Sequence, residues 1–169
     1  VELAGKCTVT GDGVCVVGKP TVLSASLSAD VREKYTFKGW YRSETDVLMG
    51  TDESHLELIP DGDTLVRAVY VVKKCEIGVE IGGFLPGINP HGEVEIVGSP
   101  GMSSIEVPYG RHVTIKATPN DKYWFAYWED SSGKHYPEAE LRVCATKNET
   151  YTAVFKKGPD VIITADAYW

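Results

Sequence analysis

An internal duplication constrains this chain more than any other feature. The segments "GKPTVLSASL", "KYTFKGWY" and "LELIPDGDTLVRAVY" recur in the same order as "GRHVTIKATP", "KYWFAYWE" and "LRVCATKNETYTAVF". Gly18 lines up with Gly110, Ala25 with Ala117, Tyr35 with Tyr123, Phe37 with Phe125, Trp40 with Trp128, Leu56 with Leu141, Ala68 with Ala153 and Tyr70 with Phe155, and no gap is needed from Leu56 and Leu141 onward. A series that keeps its order over this length points to two supersecondary units side by side. That decides between one mid-sized domain and two small ones, which 169 residues leave open. The expected boundaries are a first module over 1–73, a second over 74–157, and a strand over 158–169.

Strand signals dominate both halves. "TVLSASL", "TLVRAVYVV", "GEVEIVG", "HVTIKAT", "TYTAVF" and "DVIITADAYW" alternate apolar with polar residues and are rich in Val, Ile, Thr and Tyr. The one candidate helical turn is "SADVREKY", with Ser28 as a cap. The chain therefore reads as mainly β. The pattern G-x-x-V-x-L-x-A, then Y-x-F-x-x-W, then a strand closing in A-V-F resembles the divergent internalin B-type repeat, and both halves look like copies of it. The resemblance implies small β-grasp-like or mixed β modules, recurring in tandem on bacterial and archaeal surface proteins and in some phage structural proteins. It also implies a non-catalytic role. Two stretches depart from the pattern, an insertion around "SADVRE" and the loop "GGFLPGINPHG".

The aromatic run "KYWFAYWED" divides into two sets once the halves are compared. Alternate residues of a strand share a face, so Tyr123 and Phe125 point into one core, with Trp128 closing over it after a bend. Tyr35, Phe37 and Trp40 repeat the set, and all six read as structural core. Trp124 and Tyr127 correspond to Thr36 and Gly39, so the module folds without an aromatic at either place. They are candidate partner contacts, able to stack on a sugar ring or pack on another protein. Packing against the neighbouring module or a long loop is the competing reading.

Cys7, Cys15, Cys75 and Cys144 show no C-x-x-C spacing, which disfavours zinc and redox chemistry. The even count suits disulfides: Cys7 with Cys15 across a hairpin at Gly-Asp-Gly, and Cys75 with Cys144 by elimination, against an alternative of buried free thiols. The four histidines, His55, His91, His112 and His135, are scattered, and no nucleophile elbow, phosphate loop or His-Glu-x-x-His is present. The chain is expected to be non-catalytic and to bind neither cofactor nor metal. The acidic turns "TGDGV", "PDGDT" and "PNDKY" are too short and too poor in carboxylates for a dedicated calcium loop.

The two halves are unequal at their starts. The second opens with "CEIGVEIG" and then "HGEVEIVG", whereas the first enters at "GKCTVTG", the equivalent of the latter. Beyond Phe155, "KKGPDVIITADAYW" continues in the manner of "VVKKCEIGVEIGGF", like the first strand of a further copy. A first module short of a strand and a strand to spare at the far end are complementary, with Val161, Ile163 and Ala165 filling the open core face. The pairing can close within one chain or run head to tail between identical subunits, and we expect the latter. Two other readings remain: an excerpt from a longer array or adhesin, in which Trp124, Tyr127 and Trp169 contact a glycan or protein, and a phage decoration or tail component.

A formal net charge of −7 without clustered Lys or Arg argues against nucleic acid as a partner. No apolar run approaches the length of a membrane span. An extracellular or cell-surface location is expected.

Overall fold

A computed structural model describes residues 5–83 and 91–159. The chain divides into two compact units, Val1–Lys73 and Lys74–Trp169. Both are mainly β and built from several small sheets.

In the first unit the strands are β1 (Cys7–Thr10), β2 (Thr21–Leu27), β3 (Tyr35–Arg42), β4 (Leu48–Gly50), β5 (Leu56–Leu58) and β6 (Val66–Val72). A single-turn helix, α1 (Ala29–Arg32), follows β2, with Ser28 at its N-cap position donating its hydroxyl to Asp30. One sheet runs β1-β2-β5 and the other β4-β3-β6. All of these pairs are antiparallel. The alternation in "TVLSASL" puts Leu23, Ala25 and Leu27 inward from β2. Leu23 and Ala25 join Trp40 from β3 and Leu56 from β5 in the core, with Phe37, Met49, Leu58, Val66, Ala68 and Tyr70 partly buried around them.

In the second unit the strands are β7 (Lys74–Ile81), β8 (Gly92–Ile96), β9 (Ser104–Pro108), β10 (His112–Pro119), β11 (Tyr123–Glu129), β12 (His135–Tyr136), β13 (Glu140–Cys144) and β14 (Glu149–Lys157). They form a sheet β13-β10-β8 and a five-stranded sheet β12-β11-β14-β7-β9. Within the latter, β14 and β7 run parallel. Inward residues of both sheets, among them Ile77, Ile96, Ile115 and Trp128, make one core.

The pairing registers of the two units run in step. Leu23 faces Leu56 and Thr21 faces Leu58, as Ile115 faces Leu141 and Val113 faces Val143. Trp40 faces Ala68 and Phe37 faces Tyr70, as Trp128 faces Ala153 and Phe125 faces Phe155. Both long strands carry a bulge in the same place, between Phe37 and Gly39 and between Phe125 and Tyr127. A bulge lets Phe and Trp, three residues apart, reach the same core face that strict alternation would deny one of them.

The expected disulfides do not form: Cys7, Cys15, Cys75 and Cys144 are free thiols. Gly-Asp-Gly does not close a hairpin between Cys7 and Cys15, because β1 pairs with β2 instead and sets Cys7 opposite Leu27. Cys15 is solvent-exposed in the connection between them. Cys75 is buried on β7, while Cys144 is exposed at the end of β13, in the other sheet of the unit. A disulfide needs its two Cα atoms within about 7 Å, a closeness that neither pair is given by its strand partners.

Candidate assembly site

The outer edge of β14 is covered in the second unit, whereas among the described residues the corresponding edge of β6 is open in the first. β14 pairs with β11 on one side and with β7 on the other, where Glu149 faces Ile77 and Tyr151 faces Val79. β6 pairs with β3 and, among the described residues, with no other strand. An unpaired strand edge presents a row of backbone donors and acceptors to any incoming chain.

The burial of side chains follows from this. Ala153 is fully buried and Phe155 nearly so on β14, whereas Ala68 and Tyr70 on β6 are only partly covered. β7 adds Cys75, Ile77 and Val79 to the core of the second unit. At Ile96, which is 1% exposed in the second unit, the first has Gly11, at φ +86° and beyond the end of β1. A Cβ at Gly11 would stand 2.0 Å from the Val22 carbonyl oxygen, so no side chain fits there. What remains is a groove of about 700 Å³ in the first unit, with Leu23 and Leu58 among its lining residues. Val14, Val17 and Leu65 also line it and are more than half exposed.

The sequence-derived site residues fall in different places. Trp40 and Trp128 are fully buried and donate their indole N–H groups to the carbonyls of Asp52, at 2.8 Å, and Ala139, at 3.3 Å. Phe37 packs edge-on against Trp40, and Phe125 against Phe155. Tyr35 is half-buried at the start of β3, and Tyr123 is stacked on His91 at 4.3 Å. Trp124 is 49% exposed with the Lys156 ammonium above its ring. Tyr127 is covered by the His135 imidazole at 3.8 Å and offers less free ring. Val161, Ile163, Ala165 and Trp169 lie outside the described residues.

One buried charge stands beside the β7–β14 pairing. Glu149 is almost inaccessible; its Oε1 accepts from the backbone N–H groups of Ser131, at 3.0 Å, and Thr150, at 3.2 Å. Its Oε2 has no hydrogen bond of good geometry, and its partner is the Lys147 ammonium at 2.6 Å. Burial pushes the carboxyl up, but Lys147 and Ser131 outweigh it and hold it below its ordinary 4.5. A carboxylate held below its unfolded value stabilises the fold above that value and loses the contribution as pH falls through the lower, folded one. The second unit is therefore expected to weaken below about pH 4.5. Glu149→Gln should flatten that slope by up to about 1.4 kcal/mol per pH unit in denaturation midpoints followed against pH.

Residues 89–159 match the model of the divergent InlB B-repeat domain. The single match covers most of the described part of the second unit. That family is a non-catalytic structural domain, and the non-catalytic reading of the chain rests on it. Among the described residues no group of three or more His, Cys, Asp or Glu could hold a metal ion. No helix among them is long and apolar enough to cross a membrane. No curated protein and no solved structure matches the chain.

Proposed function

We propose that this is a non-catalytic structural protein of two copies of one β-module, assembling head to tail when residues 160–169 of one chain pair with the open edge of β6 in the next. The registers shared by the two units support the duplication. One observation carries the assembly: the second unit holds β7 on the strand edge that, among the described residues, no strand of the first unit covers. "DVIITADAYW" alternates as β7 does, with Val161, Ile163 and Ala165 sharing one face of an extended strand as Cys75, Ile77 and Val79 do. Backbone hydrogen bonds would supply affinity and alternate side chains the specificity.

Three residues, Gly158–Asp160, separate the end of β14 from Val161. Extended, they reach about 10 Å. A head-to-tail contact of this kind builds a filament unless its rotation closes a ring. Similar modules recur on surface proteins, and we read the setting as extracellular.

Removing Asp160–Trp169 tests the proposal. The full chain is expected to gain mass with concentration in light scattering, and the truncated chain to stay monomeric. Equal masses for the two would overturn it.

A further inference from the structure

The first unit has a segment at the sequence position of a second strand partner. In the second unit β7 lies between two neighbours, parallel to β14 and antiparallel to β9. β9 ends two residues before Gly110, and the segment at the same distance from Gly18 is Asp12–Val16. That segment forms no strand, and its valines are bare: Val14 is 107% exposed and Val16 61%, with Val17 just beyond it at 67%. Such a run of exposed valines is unusual for a surface connection, and Val14, Cys15 and Val17 line the 700 Å³ groove together with Thr64, Leu65 and Val66 at the start of β6.

We infer that this groove is a slot for one strand, filled on assembly by Val161–Ala167 of a second copy of this chain, parallel to β6 and antiparallel to Asp12–Val16. The inference rests on the assembly proposed above and adds the seat, the direction and the register. Val161 takes the place that Cys75 has in the second unit, Ile163 that of Ile77, and Ala165 that of Val79. Ile77 faces Glu149 in its own unit, so Ile163 faces Thr64, the counterpart of Glu149. Across the slot, Cys75 faces Val107 and Glu76 faces Glu106. The corresponding pairs are Val161 with Cys15 and Ile162 with Val14.

The last pair distinguishes a matched slot from a generic sticky edge. On the outer face of the second unit, Glu76 and Glu106 are both solvated carboxylates, with Lys74 bound to Glu106 at 3.0 Å. The slot has an apolar residue at each of the two corresponding positions, Ile162 on the entering strand and Val14 on the wall. Cross-strand pairs of β-branched residues stabilise a ladder, and this one also covers a valine that is otherwise wholly in water.

Native thiols provide the probe, since Cys15 lines the slot and Cys144, also exposed, lies in the second unit. Alkylation of the full chain with a maleimide, read by mass spectrometry below and above the assembly concentration, should slow at least tenfold at Cys15 and not at Cys144. Val14→Glu, at a site fully exposed before assembly, should weaken association at least tenfold, and adding Ile162→Lys should restore it. Assembly with Cys15 still open, or without rescue by the double variant, would overturn the slot while leaving strand donation standing. Shielding of Cys15 already in the monomer would make the chain's own tail the occupant and overturn the second copy. Absence of assembly at any concentration would overturn the donation itself.

Discussion

Trp40→Ala is expected to unfold the first unit under conditions where the second remains folded. The indole is fully buried and its N–H donates to the Asp52 carbonyl. Removing it opens a large cavity and takes away that carbonyl's donor, a loss of about 3–5 kcal/mol for a buried aromatic. The first unit has little to set against this: its buried cluster is Leu23, Ala25, Trp40 and Leu56, and much of its remaining apolar surface is in water. A marginally stable small domain does not withstand such a loss. Trp128→Ala removes an equivalent ring, but from a core that also holds Ile77, Val79, Ile96, Ile115, Val143 and Phe155. Hydrogen exchange resolved along the chain checks both. In Trp40→Ala, β2 and β3 should lose protection while β10 and β14 keep theirs; in Trp128→Ala every strand should stay protected, the second unit less strongly.

The elements that local alternation can specify were legible in the sequence. β2, β6, β10 and β14 carry period-two patterns, and the mainly β character follows from them. Partnership between strands was not legible, because a pattern says that a strand buries one face and not which backbone lies beside it. The cysteine pairing failed for that reason: the fold gives Cys7 to β2 and Cys75 to β9 and β14. β9 itself went unread, although Ile105 and Val107 alternate with Ser104 and Glu106. It is five residues long, ends in proline and lies between two turns, so its only strong signal was its pairing with β7. Its counterpart, Asp12–Val16, looked like part of a hairpin for the same reason. At the candidate site, the comparison of the two halves pointed to the open edge, but the groove depends on Gly11 standing where the second unit has Ile96, a consequence of register that no local pattern contains.

Ile77→Asp should do to the second unit what the absence of a neighbour does to the first. Ile77 is 1% exposed and lies between β14 and β9, opposite Glu149 and Ile105. A second carboxylate there would be buried facing Glu149, whose nearest cation, Lys147, is already engaged. An unpaired buried charge of this kind costs more than about 4 kcal/mol unless the strand leaves or the group takes up a proton. Expulsion of β7 separates β9 from the sheet and bares Val79 and Phe155, reproducing in the second unit the exposed valines and half-covered tyrosine of the first. The expected result is loss of exchange protection on β7 and β9 together, with β10, β11 and β13 retained and the first unit unchanged. Ile77→Val, which keeps the shape, should cost only about 1 kcal/mol and leave both strands in place. Protection of β9 in Ile77→Asp would mean that its seat does not depend on β7, and then Asp12–Val16 would have no reason to wait for a strand from outside.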